Sequence, residues 1–271
     1  MVNDINPFAV EVLTGEGARA GTLAQIGASC DIVFLMLPSS AIVQSVLFGK
    51  DGLAGTLKAG SLIVDMSSVT PKEAQECERR LAELNVRFVD APVSGGEPKA
   101  TDGTLAIMAG GRAEDYDRAL PYFQIMGSSS LLIGPCGSGC VTKLANQIIV
   151  NLSITAVSEA LVMATKAGVD PEKVYQAIRG GLAGSVVLDA KAPMMISRNF
   201  KPGGKISINL KDIKNVMATA HDIDVPLPFT SLLLEVMQTL KVGGHLDDDH
   251  AGIVQYFEAL AGTQVHKGEK S

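Results

Sequence analysis

Two hydrophobic patterns divide the chain near Gly134. Before this residue, short apolar runs alternate with stretches in which apolar residues recur every three or four positions. The runs predict buried β-strands, and the stretches predict amphipathic helices. The predicted strands are residues 31–37, 61–65, 87–90, 104–109 and 130–133. Such alternation is typical of an α/β protein with a largely parallel, doubly wound sheet of the Rossmann type.

After Gly134 the strand pattern stops and only helical patterns follow. The longest predicts a helix over 140–166, which Gly168 ends. Shorter helices are predicted over 170–179, 185–195, 209–221, 226–241 and 250–260. The sequence therefore predicts a sheet domain at 1–136, joined by the long helix to an all-helical domain at 137–271. We expect a homo-oligomer, because the long helix exposes a large surface.

The composition argues against several classes of function. The 271 residues carry a formal net charge of −6 without any Lys/Arg block, which argues against a nucleic-acid partner. No apolar run reaches the ~20 residues that cross a membrane, and the first residues lack the pattern of a signal peptide. We therefore expect a cytoplasmic protein without a membrane partner. The four cysteines and four histidines show no ligand spacing, so no metal site is predicted.

The N-terminal region shows part of a nucleotide-binding pattern. Doubly wound sheets usually open with a strand and a GxGxxG turn that faces a pyrophosphate. The glycines at 15, 17 and 21 follow a helical pattern rather than a strand, so they predict an ordinary loop. Asp4 stands where a second strand would end, before a helix entered through Pro7. A carboxylate there accepts hydrogen bonds from an adenosine ribose and disfavours a 2′-phosphate, which predicts NADH over NADPH. A helix N-cap is the alternative.

A lysine and two amides follow a glycine turn at the start of the long helix. Helical spacing places Lys143, Asn146 and Gln147 on one face. An ammonium beside two amides can hold a carboxylate and give a proton to a developing alkoxide. The alternative is an ordinary surface lysine that follows two helix-breaking glycines.

A second stretch suits the binding of an anion. The predicted strand 87–90 leads into Ser94, Gly95 and Gly96, which we call the 94–96 bend. Small residues let backbone amides approach an anion closely. Because sheets of this class bind ligands at the carboxyl ends of their strands, the bend predicts a substrate site; an ordinary loop is the alternative.

Five segments resemble the β-hydroxyacid (3-hydroxyisobutyrate) dehydrogenase family. They are Met-Leu-Pro at 36–38, Asp-Met-Ser-Ser at 65–68, Asp-Ala-Pro-Val-Ser-Gly-Gly at 90–96, Gly-Cys-Val-Thr-Lys at 139–143 and Lys-Asp at 211–212. They follow the family's order and span the whole chain. The residues at 95–100, 143–147 and 177–185 look most like the branch of the family that reduces a 2-hydroxy-3-oxo acid.

The resemblance implies an NAD(P)-dependent reductase of such a small acid. It implies that the domain at 1–136 binds the dinucleotide, and that the helical domain at 137–271 serves substrate binding and oligomerisation. It implies that Lys143 is the catalytic acid and that the 94–96 bend holds the substrate carboxylate. Asn146 would lie nearby, although many family members carry their asparagine where this chain has Gln147. The cofactor, NAD or NADP, would contact residues of several loops in addition to Asp4: Leu37, Pro38, Ser68 and Lys211.

The N-terminus departs from the family's pattern. The strand, glycine loop and helix that open the family's sheet have no counterpart ahead of Asp4, so we expect a truncated gene model and weak binding of NAD. Two alternatives stay open for function. One is another β-hydroxyacid or semialdehyde, such as 3-hydroxyisobutyrate. The other is a catalytically silent homologue that serves as an oligomerisation partner.

Overall fold

The chain forms two compact units in a computed structural model that describes residues 1–267. The units are Met1–Lys143 and Leu144–Ser271, so the division falls inside the long helix rather than at its beginning. The predicted fold class is confirmed, because a sheet with Rossmann-like parallel strands is followed by a helical region.

The first unit is built on a six-stranded sheet. All five predicted strands are present, and the strands of the sheet are β1 (Ile32–Leu35), β2 (Leu62–Asp65), β3 (Arg87–Asp90), β4 (Val93–Ser94), β5 (Leu105–Gly110) and β6 (Gly127–Gly134). Their order is β1-β2-β3-β5-β4, and β6 also pairs with β5. Because β1, β2 and β3 are parallel and in register, they end level with one another at Leu35, Asp65 and Asp90.

Six helices accompany the sheet: α1 (Pro7–Gly15), α2 (Leu23–Ser29), α3 (Ser40–Phe48), α4 (Pro71–Ala82), α5 (Gly96–Thr101) and α6 (Ala113–Met126). The start of α4 follows directly from its sequence. Thr70 and Glu73 form a reciprocal capping box around Pro71, which occupies the first helical position. The sequence did not predict α2 and α5, whose seven and six residues are too short for a clear helical period.

The far side of the sheet departs from the expected parallel arrangement. Strand β5 runs antiparallel to both β3 and β4. Because Gly95 and Gly96 turn the chain just after β4, and α5 is short, this segment folds back beside β5 instead of crossing a face of the sheet. Helix α6 then makes a true crossover, and β6 is parallel to β5.

Apolar side chains cover both faces of the central strands. Every residue of β2 is buried. Neighbouring residues of a strand point to opposite faces, so Ile63 and Phe88 enter one cluster while Val64 and Val89 enter another. Burial on both faces holds the carboxyl ends of these strands in place.

The N-terminal segment is held by a parallel bridge between Val2 and Ala20 and by the Asn3 amide, which donates to the Gly21 carbonyl at 2.8 Å. The side chain of Asn6, not of Asp4, caps α1 by accepting the Phe8 N–H at 3.1 Å. Asp4 is exposed, and its Oδ1 accepts the Asn6 N–H at 2.7 Å. Helix α1 ends at Gly15, and the glycines that follow lie in a loop, as the sequence predicted.

The second unit is helical. Helix α7 (Ser138–Lys166) begins in the first unit and continues into this one, and the later helices are α8 (Pro171–Ile178), α9 (Val186–Ile196), α10 (Ile206–Asp222), α11 (Pro228–Val242) and α12 (Val254–Ala261). Within residues 1–267 no strand follows Gly134, so the predicted helical half is confirmed. By length and composition alone α7 could also cross a membrane, a property that core helices of soluble proteins share.

A buried carboxylate holds several segments of the second unit together near its C-terminal end. Asp249 is fully buried and accepts hydrogen bonds from the Lys191 ammonium at 2.8 Å and from the N–H groups of Gly203 and Gly204 at 3.0 Å. Burial acts to raise the pKa of Asp249, but the hydrogen bonds from Lys191 and from the Ala251 N–H hold it below its usual value. The carboxylate thereby fastens the loop before α10 to the turn before α12.

Candidate active site

The loops that follow β1 and β2 are tied to each other by a short chain of hydrogen bonds. The Leu37 N–H donates to Ser67 Oγ at 2.9 Å, and the Ser67 N–H donates to Asp65 Oδ1 at 2.9 Å. Asp65 and Ser67 are buried, whereas Pro38 is exposed and Ser68 is half-buried. The predicted cofactor residues Leu37, Pro38 and Ser68 therefore stand on neighbouring loops at one edge of the sheet.

The 94–96 bend has a backbone that only glycine adopts easily. The φ angles of Gly95 and Gly96 are +142° and +69°. A Cβ on Gly95 would lie 2.6 Å from Lys99 Cβ and 2.8 Å from Lys99 Cδ, so the lysine stem of α5 lies against this glycine. The bend is thus an open, amide-rich turn with a cationic side chain beside it, an arrangement suited to a small anion.

Asp90, at the end of β3, holds the first turn of α7. Its Oδ1 accepts the Gly137 N–H at 2.7 Å, and its Oδ2 accepts the Cys140 N–H at 2.8 Å. These are N–H groups that a helix start leaves without an intrahelical partner. Lys143 lies three residues beyond Cys140, about 4.5 Å further along the helix axis, and is half-buried. The strand that leads to the 94–96 bend and the helix that carries Lys143 are therefore joined at one carboxylate.

Glycine permits this close approach of helix and sheet. A Cβ on Gly139 would lie 2.2 Å from the Met108 carbonyl oxygen and 2.9 Å from Asp90 Oδ2. A Cβ on Gly110 would lie 2.5 Å from Asp90 Oδ1. Packing thus requires a glycine at 139, in the first turn of α7, which explains the second glycine of the Gly-x-Gly pattern at 137–139.

The surroundings of Asp90 are strongly desolvated. Burial raises the pKa of the Asp90 carboxyl, and the N–H groups of Gly137 and Cys140 act in the opposite direction. Burial, followed by the nearby Asp90 charge, also raises the pKa of the Cys136 and Cys140 thiols. Thiols that stay protonated are poor nucleophiles and poor metal ligands. Among residues 1–267, no three His, Cys, Asp or Glu side chains are grouped to hold a metal ion.

The amides after Lys143 differ in their surroundings. Gln147 is buried, and its Nε2 donates to Asp212 Oδ2 at 2.6 Å. Its Oε1 accepts the Asn146 amide at 3.0 Å, while Asn146 itself is half-buried. Lys211 forms an ion pair with Asp212 Oδ1 at 2.9 Å. In the second unit, Asp212 therefore connects the predicted substrate amides to the predicted cofactor lysine, and Asn146 is the more accessible amide.

Comparison with known proteins decides the family. A family model described as "NAD binding domain of 6-phosphogluconate dehydrogenase" matches residues 1–142, and one described as "NAD-binding of NADP-dependent 3-hydroxyisobutyrate dehydrogenase" matches 137–257. The 2-hydroxy-3-oxopropionate reductase of Escherichia coli (strain K12) is 41% identical over 97% of this chain and 90% of that protein. The chain belongs to the 3-hydroxyisobutyrate dehydrogenase family.

Other members of the 3-hydroxyisobutyrate dehydrogenase family agree with this assignment. The 2-(hydroxymethyl)glutarate dehydrogenase of Eubacterium barkeri is 30% identical over 98% of this chain and 89% of that protein. The crystal structure of a 3-hydroxyisobutyrate dehydrogenase from Salmonella typhimurium superposes with a TM-score of 0.84 at 28% identity, covering 93% of this chain and 89% of that one. The chain is therefore an NAD(P)-dependent oxidoreductase of the β-hydroxyacid dehydrogenase type, and the predicted family is confirmed.

Asp4 and the loops after β1 and β2 carry groups that fit an NAD(P) cofactor of this dehydrogenase family. Asp4 is exposed and uses Oδ1 for the Asn6 N–H, so its carboxylate can also accept hydrogen bonds from a ribose. Pro38 and Ser68 present small, accessible surfaces on the loops after β1 and β2. The cofactor class, NAD or NADP, is supported by both family models.

Sequence reasoning gave no role to three polar side chains that organise these loops. They are Asp90, Ser67 and Asp212, each at most 3% exposed. The available signal was a charged residue, Asp65 or Asp90, at the end of an otherwise apolar strand. A charge in that position must find buried hydrogen-bond donors, and for Asp90 these donors are the first N–H groups of α7.

Proposed function

We propose that this protein reduces 2-hydroxy-3-oxopropionate to glycerate with NADH, and that Lys143 is the general acid. The observation that carries the proposal is the junction at Asp90, which joins the strand before the 94–96 bend to the first turn of the lysine-bearing helix. The 41% identity to the Escherichia coli reductase supports this substrate over others of the class.

In the proposed mechanism, the amides of the 94–96 bend and the Ser94 hydroxyl hold the substrate carboxylate. Asn146, ordered by Gln147, contacts the substrate beside the reacting carbonyl. NADH, when held by the loops after β1 and β2, would supply the hydride that the aldehyde carbon accepts. The Lys143 ammonium gives its proton to the carbonyl oxygen, so that the negative charge developing there is neutralised and an alcohol results. In the oxidative direction the neutral amine accepts that proton.

The remaining binding roles follow the same proposal. Asp4 accepts hydrogen bonds from the adenosine ribose, and the loops carrying Leu37, Pro38 and Ser68 line the cofactor. Lys211, held by Asp212, contacts the cofactor from α10. We also propose a cytoplasmic homo-oligomer. Exposed apolar side chains of the second unit, including Phe229, Leu232 and Val242, support an assembly through the helices.

A comparison of substrates tests the proposed reaction. We expect kcat/KM for 2-hydroxy-3-oxopropionate to exceed that for the semialdehyde of 3-hydroxyisobutyrate at least about tenfold, because a site built for a substrate hydroxyl rejects an analogue that lacks it. The measurement follows NADH absorbance with both aldehydes under the same conditions. A preference for the semialdehyde of 3-hydroxyisobutyrate would instead favour a 3-hydroxyisobutyrate dehydrogenase activity. Absence of saturable NADH binding in a fluorescence titration would favour a catalytically silent oligomerisation partner.

Replacing Asp4 with alanine tests the cofactor preference. We expect the ratio of kcat/KM for NADH to that for NADPH to fall about tenfold, since the hydrogen bonds to the ribose and the repulsion of a 2′-phosphate are both lost. Asp51→Ala is the matched control, because Asp51 is an exposed aspartate in a turn of the same unit. An unchanged ratio in Asp4→Ala, or an equal change in the control, would show that Asp4 does not select the cofactor.

A further inference from the structure

We infer that Asp90 is a positioning residue, whose carboxylate keeps the Lys143 amine in register with the 94–96 bend. This inference rests on the proposed role of Lys143. Asp90 itself is fully buried and acts through backbone groups.

Both oxygens of the Asp90 carboxylate accept hydrogen bonds from the N-terminal end of α7. The donors are Gly137, just before α7, and Cys140, in its first turn. A carboxylate at this end also interacts favourably with the dipole of the 29-residue helix. These two hydrogen bonds fix the position of the first turn along the helix axis and its rotation about that axis. Both must be fixed if the Lys143 amine, one turn later, is to keep its position.

The backbone of Asp90 is held as firmly as its side chain. It lies at the end of the buried β3 and pairs with Gly110 of β5. The next residue, Ala91, donates its N–H to the Asp65 carbonyl at 2.7 Å. The chain then reaches Ser94 in four residues. One residue therefore connects the lysine helix to the bend through its side chain and through its main chain.

No other polar side chain of the same shape can replace this carboxylate. Gly110 and Gly139 crowd its two oxygens, so a longer side chain would collide with backbone. Asparagine fits the space but turns an N–H₂ group towards one of the two N–H donors. That clash would displace the first turn of α7, and a misplacement of about 1 Å can cost about 100-fold in rate.

Asp90→Asn tests the inference with 2-hydroxy-3-oxopropionate and NADH as probes. We expect kcat per folded molecule to fall about 10- to 100-fold, while the KM for NADH changes less than about twofold, since the cofactor loops after β1 and β2 do not depend on this carboxylate. Hydrogen exchange of the peptide covering 137–143 is expected to speed up. Loss of kcat with unchanged cofactor KM separates positioning from general destabilisation.

Asp115→Asn is the matched control. Asp115 is a 3%-exposed aspartate in the first turn of α6, and it forms an ion pair with Arg118 at 3.7 Å. We expect this variant to lose stability but to keep kcat. Equal losses of kcat in both variants, or wild-type kcat in Asp90→Asn, would overturn the inference.

A second variant keeps the inference testable if Asp90→Asn does not fold. Asp90→Ala removes both acceptors but sets no opposing N–H₂ group against the Gly137 and Cys140 N–H groups. A smaller fall in kcat with unchanged KM for NADH is expected, and an unchanged kcat would contradict the positioning role. If Lys143→Ala also keeps its activity, the proposed function fails. If only Lys143→Ala is inactive, the role of Asp90 alone is refuted.

Discussion

Replacing Lys143 with alanine is expected to lower kcat about 10²- to 10⁴-fold, which is the usual contribution of a positioned proton donor. The variant should still bind NADH, because the proposed cofactor loops lie after β1 and β2 and not on α7. Stopped-flow or steady-state absorbance measures the rate, and NADH fluorescence measures the binding. Loss of rate with intact binding would assign Lys143 to the chemical step.

Lys166→Ala is the control for this experiment. Lys166 lies in the last turn of the same helix and donates to the Ala261 carbonyl at 2.9 Å, so the substitution removes the same side chain far along α7 from the proposed site. We expect its kcat to equal that of the wild type. A Lys143→Ala enzyme as fast as Lys166→Ala would refute the general-acid role.

Local signals in the sequence predicted most elements because their causes are local. Thr70, Pro71 and Glu73 stand within four residues of one another, and together they set the start of α4. The continuous apolar run of β2 reflects burial on both faces, which a sequence shows directly. Elements of this kind need no knowledge of distant contacts.

The direction of β5 could not be predicted in the same way. Its apolar run is compatible with either direction, and the direction depends on the turn that Gly95 and Gly96 make. The positive φ angles of these glycines are permitted by their sequence but not required by it. Alternation of strands and helices therefore gave the fold class correctly but not the antiparallel pairs.

For the candidate site, the sequence suggested residues but not the hydrogen bonds that join them. Helical spacing placed Asn146 and Gln147 on one face with Lys143, yet it could not show that Gln147 turns inward to Asp212, 65 residues away. The donors to Asp90 are 47 and 50 residues away from it. Hydrogen bonds over such separations follow from packing, so the sequence showed which groups were available and not which of them order the others.

Replacing Gly139 with alanine is expected to destabilise the protein, because the added Cβ would meet backbone atoms that cannot move away. That Cβ would lie 2.2 Å from the Met108 carbonyl oxygen, and the backbone of a buried strand cannot shift as a flexible side chain can. Overpacking of this kind costs about 1–3 kcal/mol or more in the free energy of unfolding. We expect a clear fall in Tm by calorimetry and a fall in kcat, because the same shift would draw the first turn of α7 away from Asp90.

Gly15→Ala provides the comparison for Gly139→Ala. Gly15 is the last residue of α1, and a Cβ there would meet nothing within 4 Å. We expect its stability to be unchanged or raised by about 0.5–1 kcal/mol, since alanine restricts the unfolded chain at a position where it fits. A Gly139→Ala protein as stable as Gly15→Ala would mean that α7 does not pack against β5 and Asp90 as closely as described. The junction that supports the general-acid role of Lys143 would then be lost, even if the lysine itself proved essential.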